Sequence, residues 1–572
     1  MDDVDGDDRL DHHDDYDEEE NEDEDEIMAR EYRDEVRRQI DDNDPSLSDI
    51  WIGDNGDSSY MPDDGDWKQF GASLGKNTHI ELVSIHLNTA QMERGVQTVH
   101  FFQGLAKNRS IMSLDIMNFD AERSYMCPLM APFFMNNKSL ETLEISSDGS
   151  LGDLCLSNIA FAIGQFNSLT SFSLMGCYSE NIISEGQDAS LELIEALAGH
   201  AGLKCLSLSN FPIGRDACTA LADLLRNPQV ILGSLNLFRT EIDDDGADIL
   251  STGLIRNHTL TDFGIDRNGF TEIGWVAIFA MLKSPHCRLS CFSLGRTDIN
   301  DAVARSLANA LRCNTTLETL FVESIHSTTT AGWRDLFMGL LHGPHCMLEK
   351  LDLSDSRGDD PDSMMESLTD ALAGNVNLKE LHLFNSESAT SIGWQSLATI
   401  LRNPSSGLEI LYLNRDAHNE VVVLFAAALA NNTKLKILSF NGYTSRVMSV
   451  GYAAISRLLC DTSTILNTFN SNHTLEYICL EICEDIKSLL RINYKNSDRA
   501  ARIKILNSHF SGSDINTQVF TDMMSNVFPT AISWMGRDNG SNGGMYLMFE
   551  FLRREPLTCD TKSKRKKRKA AD

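Results

Sequence analysis

Fourteen times along this chain an apolar triplet recurs in the spacing Leu-x-x-Leu-x-Leu, from Ile80/Val83/Ile85 through Leu203/Leu206/Leu208 and Leu317/Leu320/Val322 to Leu475/Ile478/Leu480. Successive copies lie mostly about 28 to 30 residues apart. The last two positions of each triplet are two apart, so in a strand both point to the same face. A unit this short cannot bury that face alone. Stacked on similar neighbours it can, so the pattern demands a chain that grows in one dimension, each unit adding one strand to a parallel sheet.

Between triplets every unit repeats one grammar: a loop that often carries Asp or Gly, an amphipathic helix, and a turn into the next strand. The segment DAVARSLANALRCN, Asp301 to Asn314, places Val303, Leu307 and Leu311 on one helical stripe aimed at Leu317 and Leu320. The expected fold is an α/β leucine-rich-repeat solenoid of about 14 repeats, a horseshoe with a parallel inner sheet and outer helices. A chain of 572 residues would ordinarily make several globular domains, but a solenoid takes residues 67–480 as one. Around it, 1–26 reads as a disordered acidic tail and 27–66 as a short helix and a loop. Residues 481–560 read as a helical cap over the last repeat's apolar edge, and 561–572 as a basic tail.

A second period overlies the first. Gly274-Trp275, Gly332-Trp333, Gly393-Trp394 and Gly451-Tyr452 recur every 58 to 61 residues, as do the loops Ser284-Pro-His-Cys287 and Gly343-Pro-His-Cys346. Repeats therefore alternate in two types. That alternation, with full helices, resembles the ribonuclease-inhibitor-like class of leucine-rich repeats over about Trp67 to Leu480. Within the class, WKQFGASLGKNTHIELVSI near the start and INYKNSDRAARIKIL near the end are similar to a large set of such proteins in diatoms and related algae. The resemblance implies an interaction role and no chemistry.

The formal charge of -35 is unevenly placed: the first 26 residues hold 17 acids and a single Arg, and the last eleven hold seven bases. An acidic body disfavours direct nucleic-acid binding, which draws on Lys and Arg displacing counterions, and suits a basic protein partner. The chain opens on Asp rather than a basic n-region, and no apolar run reaches the ~18 residues of a membrane span. A soluble chain that is intracellular and not secreted, nuclear or cytoplasmic, is expected. Thirteen irregularly spaced cysteines read as buried thiols rather than a disulfide framework. The glycosylation sequons at Asn137, Asn257, Asn314 and Asn472 fall at one place in the repeat and read as repeat punctuation. The run Lys564, Arg565, Lys566, Lys567, Arg568, Lys569 has the composition of a nuclear-import signal.

No motif for chemistry survives inspection. Gly71-Ala-Ser73-Leu-Gly75 matches a nucleophile elbow, which needs a strand before the Ser, but lies inside the first repeat's helix. Gly75-Lys76 hints at a phosphate loop, but Asn77 stands where Ser or Thr would hold magnesium. His286/Cys287/Cys291 and His345/Cys346 sit two stacked units apart, and neither cluster supplies the four converging ligands of a zinc site. Cys479 and Cys483 share that weakness. The expected protein is not an enzyme and takes no metal or cofactor.

Residues flanking the strand leucines point to the inner face. Its acids include Asp115, Glu144, Asp262, Asp266, Glu323, Asp352, Glu380 and Glu481, against almost only Lys350. Phe321, His382, Phe384, Tyr412 and Tyr477 add aromatic area of the kind that anchors interfaces. One register later Arg239, Arg267 and Arg296 occupy the same position in three consecutive repeats. They read either as a solvated rim paired with Glu241, Asp243 and Asp298 or as a ladder orienting a partner's carboxylates or backbone. The expected function is a non-enzymatic scaffold that binds a protein partner on its concave face. Two rivals share these features: a nuclear acidic chaperone-like protein that masks basic partners such as histones, and, because Ran-activating proteins share the repeat class, a regulator of a small GTPase. Oligomeric state is not written in these patterns.

Overall fold

The computed structural model describes residues 31–53, 67–86, 95–119, 133–134, 136–147, 153–165, 168–176, 187–342, 346–383, 389–413, 418–440, 447–479, 482–495 and 499–509. Both charged tails, including Lys564 to Lys569, and residues 510–560 of the expected cap lie outside the described residues, as do His345, Phe384, Leu480 and Glu481. The chain is an α/β leucine-rich-repeat solenoid that divides after Ile242 into two compact units.

The first unit runs from helix α1 over 31–41 through β1 (Asp49–Ile52), α2 (Trp67–Leu74), β2 (Leu82–His86), α3 (Gly95–Leu105), β3 (Ser113–Phe119), β4 (Thr142–Ser147), α4 (Asp153–Ile163), β5 (Ser171–Met175), α5 (Gln187–Ala198), β6 (Cys205–Ser209) and α6 (Arg215–Arg226) to β7 (Ser234–Phe238). All seven strands are parallel and neighbour one another in chain order. Strand β1 corrects the loop expected over 27–66: Ile50 and Ile52 stand opposite Val83 and Ile85. With Leu47 they form a further copy of the triplet, hidden because Asp, Ser and Trp surround so short a run.

Register shows why the triplet dictates the core. Val83, Leu114, Leu143, Phe172, Leu206 and Leu235 form one continuous row, and Ile85, Ile116, Ile145, Leu174, Leu208 and Leu237 a second. Every one of them is buried, and each such side chain contributes about 1.5–3 kcal/mol relative to exposure. The Gly71-to-Gly75 motif falls in α2 and at its end, where it packs against α3. A Cβ on Gly104 would come within 2.3 Å of the Gly71 carbonyl carbon, so these glycines allow two helices to touch.

The second unit repeats the plan with α7 (Asp244–Leu254), β8 (Asp262–Gly264), α8 (Glu272–Phe279), β9 (Cys291–Ser293), α9 (Asp301–Leu311), β10 (Thr319–Phe321), α10 (Thr330–Leu341), β11 (Lys350–Asp352), α11 (Pro361–Leu372), β12 (Glu380–Leu383), α12 (Ser391–Arg402), β13 (Ile410–Leu413), α13 (Asn419–Leu429), β14 (Ile437–Phe440), α14 (Ser449–Leu459), the short α15 (Ile465–Phe469), β15 (Tyr477–Cys479), α16 (Glu484–Lys495) and α17 (Ala500–His509). Helices reach the sheet through large side chains, as where Phe279 meets Phe292 edge-on with centroids 6.4 Å apart.

Two ladders lock its repeats. In the first, each punctuation asparagine turns the chain into its strand: the Asn314 side-chain oxygen accepts from the Thr316 and Leu317 amides. Its amide donates to the Leu282 carbonyl one repeat back and lies 3.7 Å from Cys287 Sγ. Asn375 repeats the arrangement on Leu341 and Cys346. Asn314 and Asn472 are buried with their amides engaged, which leaves no place for a glycan. The second ladder explains the doubled period. Asp244, Asp301 and Asp362, early in their helices, each accept the backbone amide and hydroxyl of the Thr that opens the next helix, Thr271, Thr329 and Thr390. The Gly of each Gly-Trp pair sits against that carboxylate: a Cβ on Gly332 would fall 2.3 Å from Asp301 Oδ1. Trp275, Trp333 and Trp394 then fill the core beneath.

Candidate functional site

Opposite the leucine rows, each strand presents the residues between them. In the second unit register aligns Phe321, Asp352, His382 and Tyr412 on adjacent strands β10 to β13. All are half-buried except Asp352, which is buried. Three of the five expected aromatic anchors thus share one row, with an acid between the first two, while Tyr477 stands opposite Ile437 in the neighbouring row. The neighbouring row brings Lys350 beside Glu380.

These rows form one connected network. The Lys350 ammonium lies 5.4 Å from the centre of the Phe321 ring and 2.8 Å from Glu380 Oε1. Glu380 Oε1 is also 2.7 Å from His382 Nε2, while His382 Nδ1 is 2.9 Å from Asp352 Oδ2. The imidazole therefore bridges two carboxylates with both ring nitrogens, and Tyr412 lies against it with ring centres 4.3 Å apart. Burial pulls His382 downward, but the Asp352 and Glu380 carboxylates outweigh it and hold its pKa above the usual value. In turn, burial pushes Asp352 and Glu380 upward, and the bonds from His382, Ser354 and Lys350 bring both below the usual carboxylate range. Sequence reasoning singled out His382 only as an aromatic anchor. The bridge was findable: Lys350/Asp352 and Glu380/His382 occupy equal offsets in consecutive triplets.

A second acidic group lies just past the strand ends. Asp266 accepts from Ser293 Oγ at 2.7 Å, and Glu323 sits on the same ridge, since the Arg267 amide meets the Gly295 carbonyl and the Arg296 amide meets the Glu323 carbonyl. Burial raises the pKa of Asp266 above the usual range despite its bonds to Ser293 and Gly295. Burial, then repulsion from Asp352, Asp266 and Asp355, raises Glu323, and Arg296 offsets only part of this. These two carboxylates are short of positive charge.

Arg239, Arg267 and Arg296 each adopt a left-handed backbone, with φ of 53°, 55° and 55°. Asn210, Ser324 and Asp355 take the same conformation two residues after their own triplets. The position is thus a turn that six consecutive repeats make, from Asn210 to Asp355, and Arg is a costly choice there compared with Gly or Asn. Arg239 belongs to the first unit, and Arg267 and Arg296 to the second. Cys291, on the sheet face, has its thiol pushed up to about 11 by burial and by Asp262, and a protonated thiol is a poor nucleophile or metal ligand.

The first unit's corresponding row reads Trp51, Ser84, Asp115, Glu144, Ser173, Ser207, Asn236. Burial and the adjacent Glu144 raise the Asp115 pKa.

No family model matches the chain. Among curated proteins it is 30% identical over 240 residues to human NACHT, LRR and PYD domains-containing protein 12, covering 42% of this chain and 21% of that protein. To mouse NACHT, LRR and PYD domains-containing protein 14 it is 24% identical over 290 residues, covering 50% and 28%. The leucine-rich-repeat character is supported. The chain spans under a third of the length of these relatives. Among solved structures, a chain of the yeast Rad7 and Elc1 complex matches with a TM-score of 0.37 at 15% identity, covering 80% of this chain and 88% of that one. Among the described residues no helix is long and apolar enough to cross a membrane.

Proposed function

We propose that the chain is a non-enzymatic interaction scaffold of the ribonuclease-inhibitor-like repeat class, and that a protein partner docks on the sheet face of β10 to β13 in the second unit. The observation that carries this reading is the network joining Phe321, Lys350, Glu380, His382, Asp352 and Tyr412. It offers rigid aromatic area fixed by ion pairs and hydrogen bonds, so little side-chain freedom remains to be lost on binding. The neighbouring Asp266 and Glu323 favour a partner that brings Lys or Arg side chains. Arg267 and Arg296 of the same unit acting with this face, and import through the basic tail, belong to the same reading.

Proximity labelling with the full chain and with a Phe321→Ala/Tyr412→Ala double variant tests it. A partner captured by the wild type and lost from the equally stable variant supports the reading, provided its purified affinity falls at least roughly tenfold. Equal affinity for both forms would overturn it.

A further inference from the structure

The second unit's asparagine ladder ends on a lysine that works beside an asparagine. Inside the ladder, the Asn472 amide donates to the Leu429 carbonyl, the last residue of α13, at 2.9 Å and to the Asn432 carbonyl at 3.0 Å. The next step of the pattern requires a donor to the last residue of α14, Leu459, and to the Asn472 carbonyl. That donor is Lys504 of α17, whose Nζ lies 2.6 Å from the Leu459 oxygen and 2.9 Å from the Asn472 oxygen. Asn493 of α16 donates to the Leu475 carbonyl at 2.6 Å and, more distantly, to the same Asn472 carbonyl at 3.4 Å. Helices α16 and α17 thus end the stack by imitating the repeat that would follow.

An amine differs from an amide in one respect: it titrates. Lys504 is fully buried, and among the described residues no carboxylate lies within ion-pair distance of it. A neutral amine has two N–H bonds, one for each carbonyl. Protonation adds a third and a charge that nothing buried there compensates. The surrounding groups add bases rather than acids. His473, half-buried with its Nε2 on the Phe469 carbonyl and its inaccessible Nδ1 without a hydrogen-bond partner, lies near enough that the two cations would repel. His509 of α17 bonds Thr468 Oγ1 through Nε2 at 2.8 Å, and the Cys460 thiol meets Ser508 Oγ at 3.4 Å. Asp461 is engaged by Arg457 and Ser463, and on α16 Glu484 pairs with Lys487. The remaining titratable groups of α16 are Asp485, Arg491, Tyr494 and Lys495.

We propose that α17 is a proton-sensitive clasp, closed while Lys504, His473 and His509 are neutral and released as they take up protons, so that the end of the repeat stack opens on acidification. Burial brings Lys504 down to about 7 and His473, with Lys504 beside it, to about 4, and burial also lowers His509. The sign follows from linkage: groups depressed in the closed state stabilise it fully above their ordinary values, and that stability fades as pH falls through the depressed ones. Lys504 therefore acts between its ordinary 10.5 and about 7, and His473 between 6.5 and about 4.

Hydrogen exchange of peptides covering Ala500 to His509, measured on the full chain and corrected for intrinsic rates, tests the clasp. In the wild type the opening equilibrium should rise roughly fifty-fold from pH 9 to pH 7 through Lys504, and roughly twenty-fold more by pH 5 through His473. Lys504→Gln, which keeps two N–H donors without a titration, should be flat from pH 9 to 7 and keep the lower step. Lys504→Arg should leave the helix unprotected throughout. Equal wild-type protection at pH 9 and 7, or a Lys504→Gln variant with the wild-type slope, would overturn the proposal. If Lys504→Gln does not dock at all, the wild-type slope decides, since the depressed histidines titrate below 7.

Discussion

The two units of this chain each build the same kind of core and differ on the face opposite it. In the first, the central row of the sheet is Trp51, Ser84, Asp115, Glu144, Ser173, Ser207 and Asn236, its one ring at the edge strand; in the second, the equivalent row contains Phe321, Asp352, His382 and Tyr412 on adjacent strands. Among the described residues the leucine rows beneath are interchangeable, all aliphatic or Phe and all buried. The backbone therefore places no demand on the face residues, and what they become is open to function. From Ser173 to Asn236 small polar side chains give a hydrated surface with little area to bury, whereas the adjoining rings and paired charges of the second unit give rigid anchors.

Core substitutions should erase the difference between the units. Leu320→Asp and Leu206→Asp each bury a carboxylate between neighbouring strands, since both sites are nearly or fully inaccessible. Each should cost more than about 4 kcal/mol and abolish cooperative unfolding of its own unit in a calorimetric scan. A soluble, normally melting variant at either site would show that the rows do not bury what register says they do.

Face substitutions should sharpen the difference. Phe321→Ala and Tyr412→Ala should each weaken partner binding by at least roughly tenfold in a titration, while Ser173→Ala and Ser207→Ala leave it unchanged. Melting temperatures should hardly move in any of the four, because these side chains point away from the core. A loss of binding from the serine variants instead would move the interface to the first unit.

How much of this could be read in advance follows from what each feature depends on. The triplet is a local pattern with an obligatory burial, so the strands, their order and the core positions were legible. Strand β1 escaped because Leu47, Ile50 and Ile52 sit in polar surroundings that mask one isolated copy. The Gly-Trp period was visible, but its cause was not: it depends on Asp301 and its equivalents reaching a Thr in the next repeat, a contact between residues 28 apart. Likewise strand alternation puts Phe321, His382 and Tyr412 on one face, as register has them, with Phe384 outside the described residues, while the bridging role of His382 needs distances. Lys504 was passed over entirely, since nothing in its neighbourhood marks a lysine that will be buried.

The Asp-to-Thr device gives the next largest effect. Asp301→Ala removes the acceptor for the Thr329 amide and hydroxyl and should cost about 1 kcal/mol, the usual worth of a helix-start cap. Urea unfolding of the second unit would read it as a lower midpoint at unchanged slope. Asp301→Asn should recover much of the loss, because Asn419 already fills the equivalent role toward Met448. A recovery no better than Ala would mean that charge, not the acceptor oxygen, matters.

The smallest effect separates the two faces by pH. His382 is raised above its ordinary 6.5, so its contribution is complete below that value and fades as pH climbs through the raised one. Asp352 and Glu380 are lowered, so theirs is complete above the ordinary carboxylate range and fades as pH falls through the lowered values. Between those limits both ring nitrogens of His382 donate; above them a neutral ring donates only one, and either Asp352 or Glu380 loses its bond. About 1 kcal/mol is at stake for that bond. Nuclear magnetic resonance of the His382 ring should show a titration displaced upward, and partner binding should weaken slightly across it. His382→Gln should abolish the alkaline weakening and leave the serine-lined face of the first unit unaffected. A His382 titration at or below the ordinary value would mean that the two carboxylates do not hold the ring, and the anchor would then be Tyr412 and Phe321 alone.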